Sequence, residues 1–163
     1  MAAQEEQRSV VEESTIVDID VHRSISWPEL IDYMDEPYSG RVRSFLETGY
    51  SPRPLSGWDQ FMGGKIDQIP FKSGEDVSDF RQEFEIDYPI VNCLATLGAI
   101  PDTDLALEVM RASNDLLINE ILAQDDDLMG LAVVAPQKPE KAAEEIDRVA
   151  SEDQIVGTFI CST

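Results

Sequence analysis

Two periodicities run along this chain, and the change from one to the other marks out its elements. In Ile16-Val17-Asp18-Ile19-Asp20-Val21-His22 apolar and polar residues alternate with period two, the pattern of a β-strand with unlike faces. Trp27 to Thr48 is helix-like, with Leu30, Ile31, Met34, Val42, Phe45 and Leu46 supplying the apolar spacing and a turn expected near Pro37-Tyr38-Ser39-Gly40. Gly49 to Gly74 gathers Pro52, Pro54, Gly57, Gly63, Gly64 and Pro70, together with Trp58, Phe61, Met62 and Phe71. A loop this rich in large apolar residues is expected to pack on the body rather than act as a linker. Beyond it the spacing predicts a helix over Glu75 to Ile86 and a buried strand over Tyr88 to Leu94. A helix over Asp102 to Ala123 and an apolar strand over Leu128 to Ala135 follow. The last two elements are a helix over Pro139 to Ala150, with Ala142, Ala143, Ile146 and Val149 on its inner face, and a strand over Ile155 to Cys161.

Strands alternating with helices of this length make βαβ units, hence an α/β fold with about four parallel strands. Strands apolar throughout are those covered by helices on a parallel sheet. The chain stops just after the fourth strand, which suggests the N-terminal half of a (β/α)8 TIM barrel with a long loop after the first helix. On this reading residues 1–14 are a loose lead-in, and residues 15–163 are a partial barrel truncated after strand four. A stand-alone flavodoxin-like binding domain is the rival α/β arrangement, disfavoured because no Gly-x-Gly-x-x-Gly or P-loop sequence is present.

Charge narrows the partners. With 33 acidic and 12 basic residues the formal net charge is -21. Such a surface repels phosphates and anionic membranes, so neither nucleic acid nor membrane is expected as a partner. The acidity is spread along the chain and lysine is scarce, as in cytoplasmic proteins of salt-loving organisms, where high salt screens self-repulsion. The sequence therefore reads as halophilic, soluble and cytoplasmic. Cys93 and Cys161 sit in apolar runs and read as buried small hydrophobes. Asp125-Asp126-Asp127 lacks the spacing of a calcium loop and reads as a solvated turn.

The candidate chemistry lies in the first strand. Asp18, Asp20 and His22 are spaced two apart, so all three are expected on one face, with Ile19 and Val21 on the other. A carboxylate and an imidazole converging at a strand end are good ligands for a divalent metal. Active sites of (β/α)8 barrels lie at the C-terminal ends of the strands, where Asp20 and His22 would sit. Asp18, one step deeper, could orient a ligand from behind. Arg23 could reach an anionic substrate, its plainer role being an exposed loop arginine. A lone histidine at a strand end also has a plainer role, as a satisfied structural residue.

The Asp20-Val21-His22 motif on strand one resembles the amidohydrolase superfamily, specifically the branch containing aminocarboxymuconate-semialdehyde decarboxylase and γ-resorcylate decarboxylase. The ordered segments Ala112-Ser113-Asn114-Asp115, Leu128-Met129-Gly130-Leu131-Ala132-Val133-Val134-Ala135-Pro136, Pro139-Glu140-Lys141-Ala142 and Val156-Gly157-Thr158 resemble the same branch. The similarity covers roughly residues 15 to 163. The resemblance implies a divalent metal, zinc or manganese, held in part by Asp20 and His22. It also implies hydrolysis or non-oxidative decarboxylation of a small carboxylated substrate. The family's further ligands are histidines from about strands five and six and an aspartate from strand eight. His22 is the sole histidine here, so the chain is expected to supply only part of such a site. A second-half chain, a homo-oligomer or a non-catalytic fragment are the corresponding expectations.

Overall fold

The computed structural model describes residues 14–23, 25–48, 71–93, 95 and 97–160. The lead-in, apart from Ser14, and most of the expected long loop lie outside the described residues, as does Cys161.

Strand β1 (Val17–Arg23) is followed by helices α1 (Trp27–Ile31) and α2 (Tyr38–Glu47). Ser26 opens α1 through a capping box with Glu29, and Pro28 occupies the first turn, where its missing N–H is not needed. The turn expected at Pro37 to Gly40 falls earlier. The Ser39 N–H bonds to the Asp35 carbonyl and the Arg41 N–H to the Pro37 carbonyl, so Tyr38, Ser39 and Gly40 are already helical. Helix α3 (Gly74–Glu83) starts at Ser73, whose hydroxyl accepts the Asp76 N–H at 3.2 Å. It stops three residues before the expected Ile86 because Glu85 takes a left-handed φ of 54°, which closes the last turn.

Strand β2 (Tyr88–Cys93), a short 3-10 turn (Leu97–Ala99) and helix α4 (Thr103–Leu116) come next. Asp102 caps α4 by accepting the Leu105 N–H at 3.1 Å. The helix runs on through a π turn (Leu117–Ile121) and a 3-10 turn (Leu122–Gln124) to β3 (Met129–Val133), α5 (Pro139–Val149) and β4 (Ile155–Phe159).

All strand pairs are parallel and the order is β1-β2-β3-β4. Sequential order is that of a barrel wall; a flavodoxin-like sheet reverses direction at a switch point, so that rival is excluded. Val21, Val91, Cys93 and Ala132 are buried on the face covered by the helices. Gly130 lies on that face too, because a Cβ there would meet the side chains of Leu117 and Leu122 at 3.0 Å. The opposite face carries the in-register row His22, Asn92, Leu131 and Gly157.

Two expectations about burial need correction. On α5 the inner face is Ala142, Glu145 and Val149, whereas Ala143 and Ile146 point outward. A carboxylate can occupy the inner position because Asn114 and Arg148 hydrogen-bond to it. On β4 the helix-facing side is uncovered among the described residues. Thr158 is exposed although its partner Ala132 is fully buried, and Ile160 is 62 % exposed.

Candidate metal centre

The end of β1 is fixed from both sides. Arg23, its last residue, is only 4 % exposed and forms an ion pair with Glu29. Glu29 also accepts from the Ser26 N–H at 2.8 Å and the Ser26 hydroxyl at 2.6 Å. Burial works to raise the Glu29 carboxyl, but the hydrogen bonds from Ser26 and Arg23 outweigh it and leave the group below its ordinary value. Strand, turn and α1 are thereby tied together within seven residues. Arg23 is consequently not an exposed loop residue. It lines a cleft on the helix side with Glu29, Tyr33, Lys72 and Glu120. The parity of the strand sets it on the face opposite His22.

On the other face His22 Nε2 and Asp20 Oδ1 lie 2.6 Å apart. The Asp20 side chain is 73 % exposed and that of His22 28 %. A carboxylate oxygen and an imidazole nitrogen thus converge at the C-terminal half of a barrel-type strand, open to solvent. Both donors suit a divalent cation, and the arrangement fits a part of such a site. Among the described residues no group of three or more His, Cys, Asp or Glu could hold a metal.

Asp18 is placed differently. Between the pairs Asp18↔Pro89 and Val21↔Val91, three steps on β1 match two on β2, the signature of a bulge. The bulge interrupts strict alternation, so Asp18 keeps the parity of Pro89 and Val91 and does not share the Asp20–His22 face. Its Oδ1 accepts the Asp20 N–H at 3.0 Å, occupying a donor that the bulge takes out of the ladder.

Two features carry no sequence motif. Asn92, in register with His22, is 3 % exposed and its Oδ1 accepts no hydrogen bond. Its signal was an amide inside an otherwise buried strand run. Cys93, beside it, is buried beneath the helices, and burial raises its thiol to about 12 against the opposing pull of Arg23, so it is no nucleophile. The acidic run forms the expected exposed turn at Asp126 and Asp127, but its first residue departs from that reading. Asp125 is half-buried, accepts the Ser78 hydroxyl at 2.7 Å and, with Asp127, holds Arg81.

No established family profile matches the chain. It is 30 % identical over 112 residues to the γ-resorcylate decarboxylase of Rhodococcus jostii strain RHA1, a match spanning 66 % of this chain and 31 % of that protein. The homologues of this chain are γ-resorcylate decarboxylases. The enzyme of that name from Rhizobium sp. strain MTP-10005 is 29 % identical over 90 residues, 52 % of this chain and 28 % of its own length. The chain therefore spans under a third of the curated relatives it matches.

Solved structures agree on the fold. The 5-carboxyvanillate decarboxylase of Novosphingobium aromaticivorans, crystallised with manganese and 4-hydroxy-3-methoxy-5-nitrobenzoic acid, gives a TM-score of 0.64 at 20 % identity over 93 % of this chain and 42 % of that one. The dihydroxybenzoic acid decarboxylase of Polaromonas sp. JS666, with bound manganese and 2-nitroresorcinol, gives 0.59 at 20 % identity over 90 % and 38 %. The four strands and their helices are thus part of the TIM-barrel fold expected from the βα order. No helix among the described residues is long and apolar enough to cross a membrane.

Proposed function

We propose that this chain forms the strand-one-to-four wall of a metal-dependent decarboxylase for a small carboxylated aromatic compound, with Asp20 and His22 as its strand-one ligands. The observation that carries this reading is the 2.6 Å approach of His22 Nε2 to Asp20 Oδ1 at the end of β1, in a chain whose homologues are decarboxylases. A divalent cation such as manganese or zinc supplies Lewis acidity toward substrate oxygens when bound. In the chain itself, Asp20 Oδ1 and His22 Nε2 lie close enough together for both to reach one cation. Glu29 and Arg23 keep the strand end from shifting. In the reaction the bond from ring to carboxylate breaks, carbon dioxide leaves and the ring carbon takes up a proton.

The uncovered outer side of β4 favours a second reading beside the first: the wall becomes active only when a second chain or domain completes the barrel. Both readings are tested by one experiment. The chain is incubated with Mn2+ and 2,6-dihydroxybenzoate, alone and co-expressed with the C-terminal half of the Rhodococcus homologue, and carbon dioxide release is followed. Activity in either arm that His22→Ala abolishes supports the proposal, and the arm that is active separates the two readings. Silence in both arms overturns the decarboxylase reading.

A further inference from the structure

We infer that Asn92 supplies a third donor to the Asp20–His22 centre, an amide oxygen from the neighbouring strand. The inference rests on the proposed reading of Asp20 and His22 as cation ligands.

Asn92 is the in-register partner of His22 across the β1–β2 ladder, so the two side chains leave adjacent strands on the same face. That face is the one the helices do not cover, and the chain neighbours Val91 and Cys93 point the other way into the core. Asn92 is 3 % exposed, and its Oδ1 is buried without a hydrogen-bond donor. Buried carbonyl oxygens in folded proteins almost always have a partner, and one kept without it calls for an explanation. An apolar side chain would fit the same buried place without a stranded oxygen. Ser113 and Gln137 also carry buried oxygens without a donor, but neither belongs to the row that contains His22.

The stranded oxygen has the chemistry of a ligand. A carboxylate oxygen, an imidazole nitrogen and a neutral amide oxygen form a mixed set with more oxygen than nitrogen, which suits manganese among the common divalent ions. Asn92 adds this donor without adding charge to a chain that already carries a net -21. It also joins β1 to β2 at the site, so a bound cation would bridge two strands rather than sit on one.

The test uses the full 163-residue chain and Mn2+ alone as the probe. Affinity is measured by calorimetry and by manganese electron paramagnetic resonance for wild type, Asn92→Leu and Asn92→Asp, and Tm is measured without metal. The expected result is that Asn92→Leu binds Mn2+ at least tenfold more weakly while its metal-free Tm stays level or rises, because a stranded oxygen has been removed. Asn92→Asp, which restores an oxygen donor and adds charge, binds at least as tightly as wild type. An affinity of Asn92→Leu within twofold of wild type overturns the role of Asn92 and leaves the Asp20–His22 pair standing. Weaker binding with a lowered Tm that Asn92→Asp does not restore assigns Asn92 to the fold and also overturns it. A wild-type chain that binds no Mn2+ at millimolar concentration overturns the ligand reading of Asp20 and His22, and this inference with it.

Discussion

The side-chain amide of Asn114 bonds twice to the backbone of Val133, accepting its N–H at 2.8 Å and donating to its carbonyl at 3.1 Å. The amide thus acts like a short additional strand at the end of β3, reaching it from α4. It also donates to Glu145 Oε1 at 2.7 Å, which brings α5 into the same buried junction. Arg148 closes the network by binding Glu145 and reaching Asp115 at 2.8 Å.

Asn114→Ala should therefore be among the most destabilising single substitutions in this chain. It leaves a buried N–H and carbonyl of Val133 and a buried carboxylate short of partners, at roughly 1–3 kcal/mol for each unsatisfied group. The expected loss is about 3 kcal/mol in urea unfolding. A loss below about 1 kcal/mol would show that water or a shifted side chain replaces the amide.

Two glycines should respond in opposite ways to the same change. A Cβ on Gly74 would lie 2.3 Å from the carbonyl oxygen of Ile121, in the π turn, so Gly74→Ala must push α3 away from that backbone. A Cβ on Gly40 would meet only the carboxylate tip of Glu36 at 2.8 Å, which can swing aside. Gly40→Ala should then be neutral or stabilise α2 by up to about 1 kcal/mol, the usual helix preference for alanine. Thermal melts of both variants check the contrast. Equal effects of the two substitutions would count against the close approach of α3 to the π turn.

Acid should weaken the fold through a small set of capping carboxylates. The Leu105 N–H, and next the Arg41 guanidinium, hold the Asp102 carboxyl below its ordinary value. The Lys72 N–H leads the groups that do the same for Asp76. A carboxyl depressed in the folded state adds stability above its unfolded pKa of about 4, and that contribution is lost as pH falls through the lower folded value. Asp102→Asn keeps a capping side chain but does not titrate. The dependence of the urea midpoint on pH below about 4 should accordingly be shallower in the variant than in wild type. Superimposable profiles would remove Asp102 from the acid response.

Salt should act in the opposite sense to acid. At a net charge of -21 the exposed carboxylates repel one another, and ionic strength screens that repulsion over about 10 Å at 0.1 M and 3 Å at 1 M. The melting temperature is expected to rise steadily from 0.1 to 2 M KCl. Exposed ion pairs such as Lys141–Glu144 contribute little to set against this. A flat or falling Tm would show that ion pairing, and not repulsion, dominates the surface.

Much of the architecture was legible along the chain. Strand and helix periods are local properties, set by which side chains must face the core, and they placed β1 to β4 and α3 to α5 to within a few residues. The sequential parallel order followed from alternating elements, and the Asp20-Val21-His22 motif from spacing two on one strand. What local pattern could not supply was the pairing between strands some seventy residues apart. The bulge that parts Asp18 from His22 exists only in the register of β1 against β2. The same register sets the stranded amide of Asn92 beside His22. Arg23 and Glu145 were legible as charges, and charges ordinarily face water. They are buried because Glu29 from α1 in one case, and Asn114 from α4 together with Arg148 one turn along the same helix in the other, neutralise and hydrogen-bond them. Periodicity tells a side chain which way to point, but only packing between distant segments determines what it meets there.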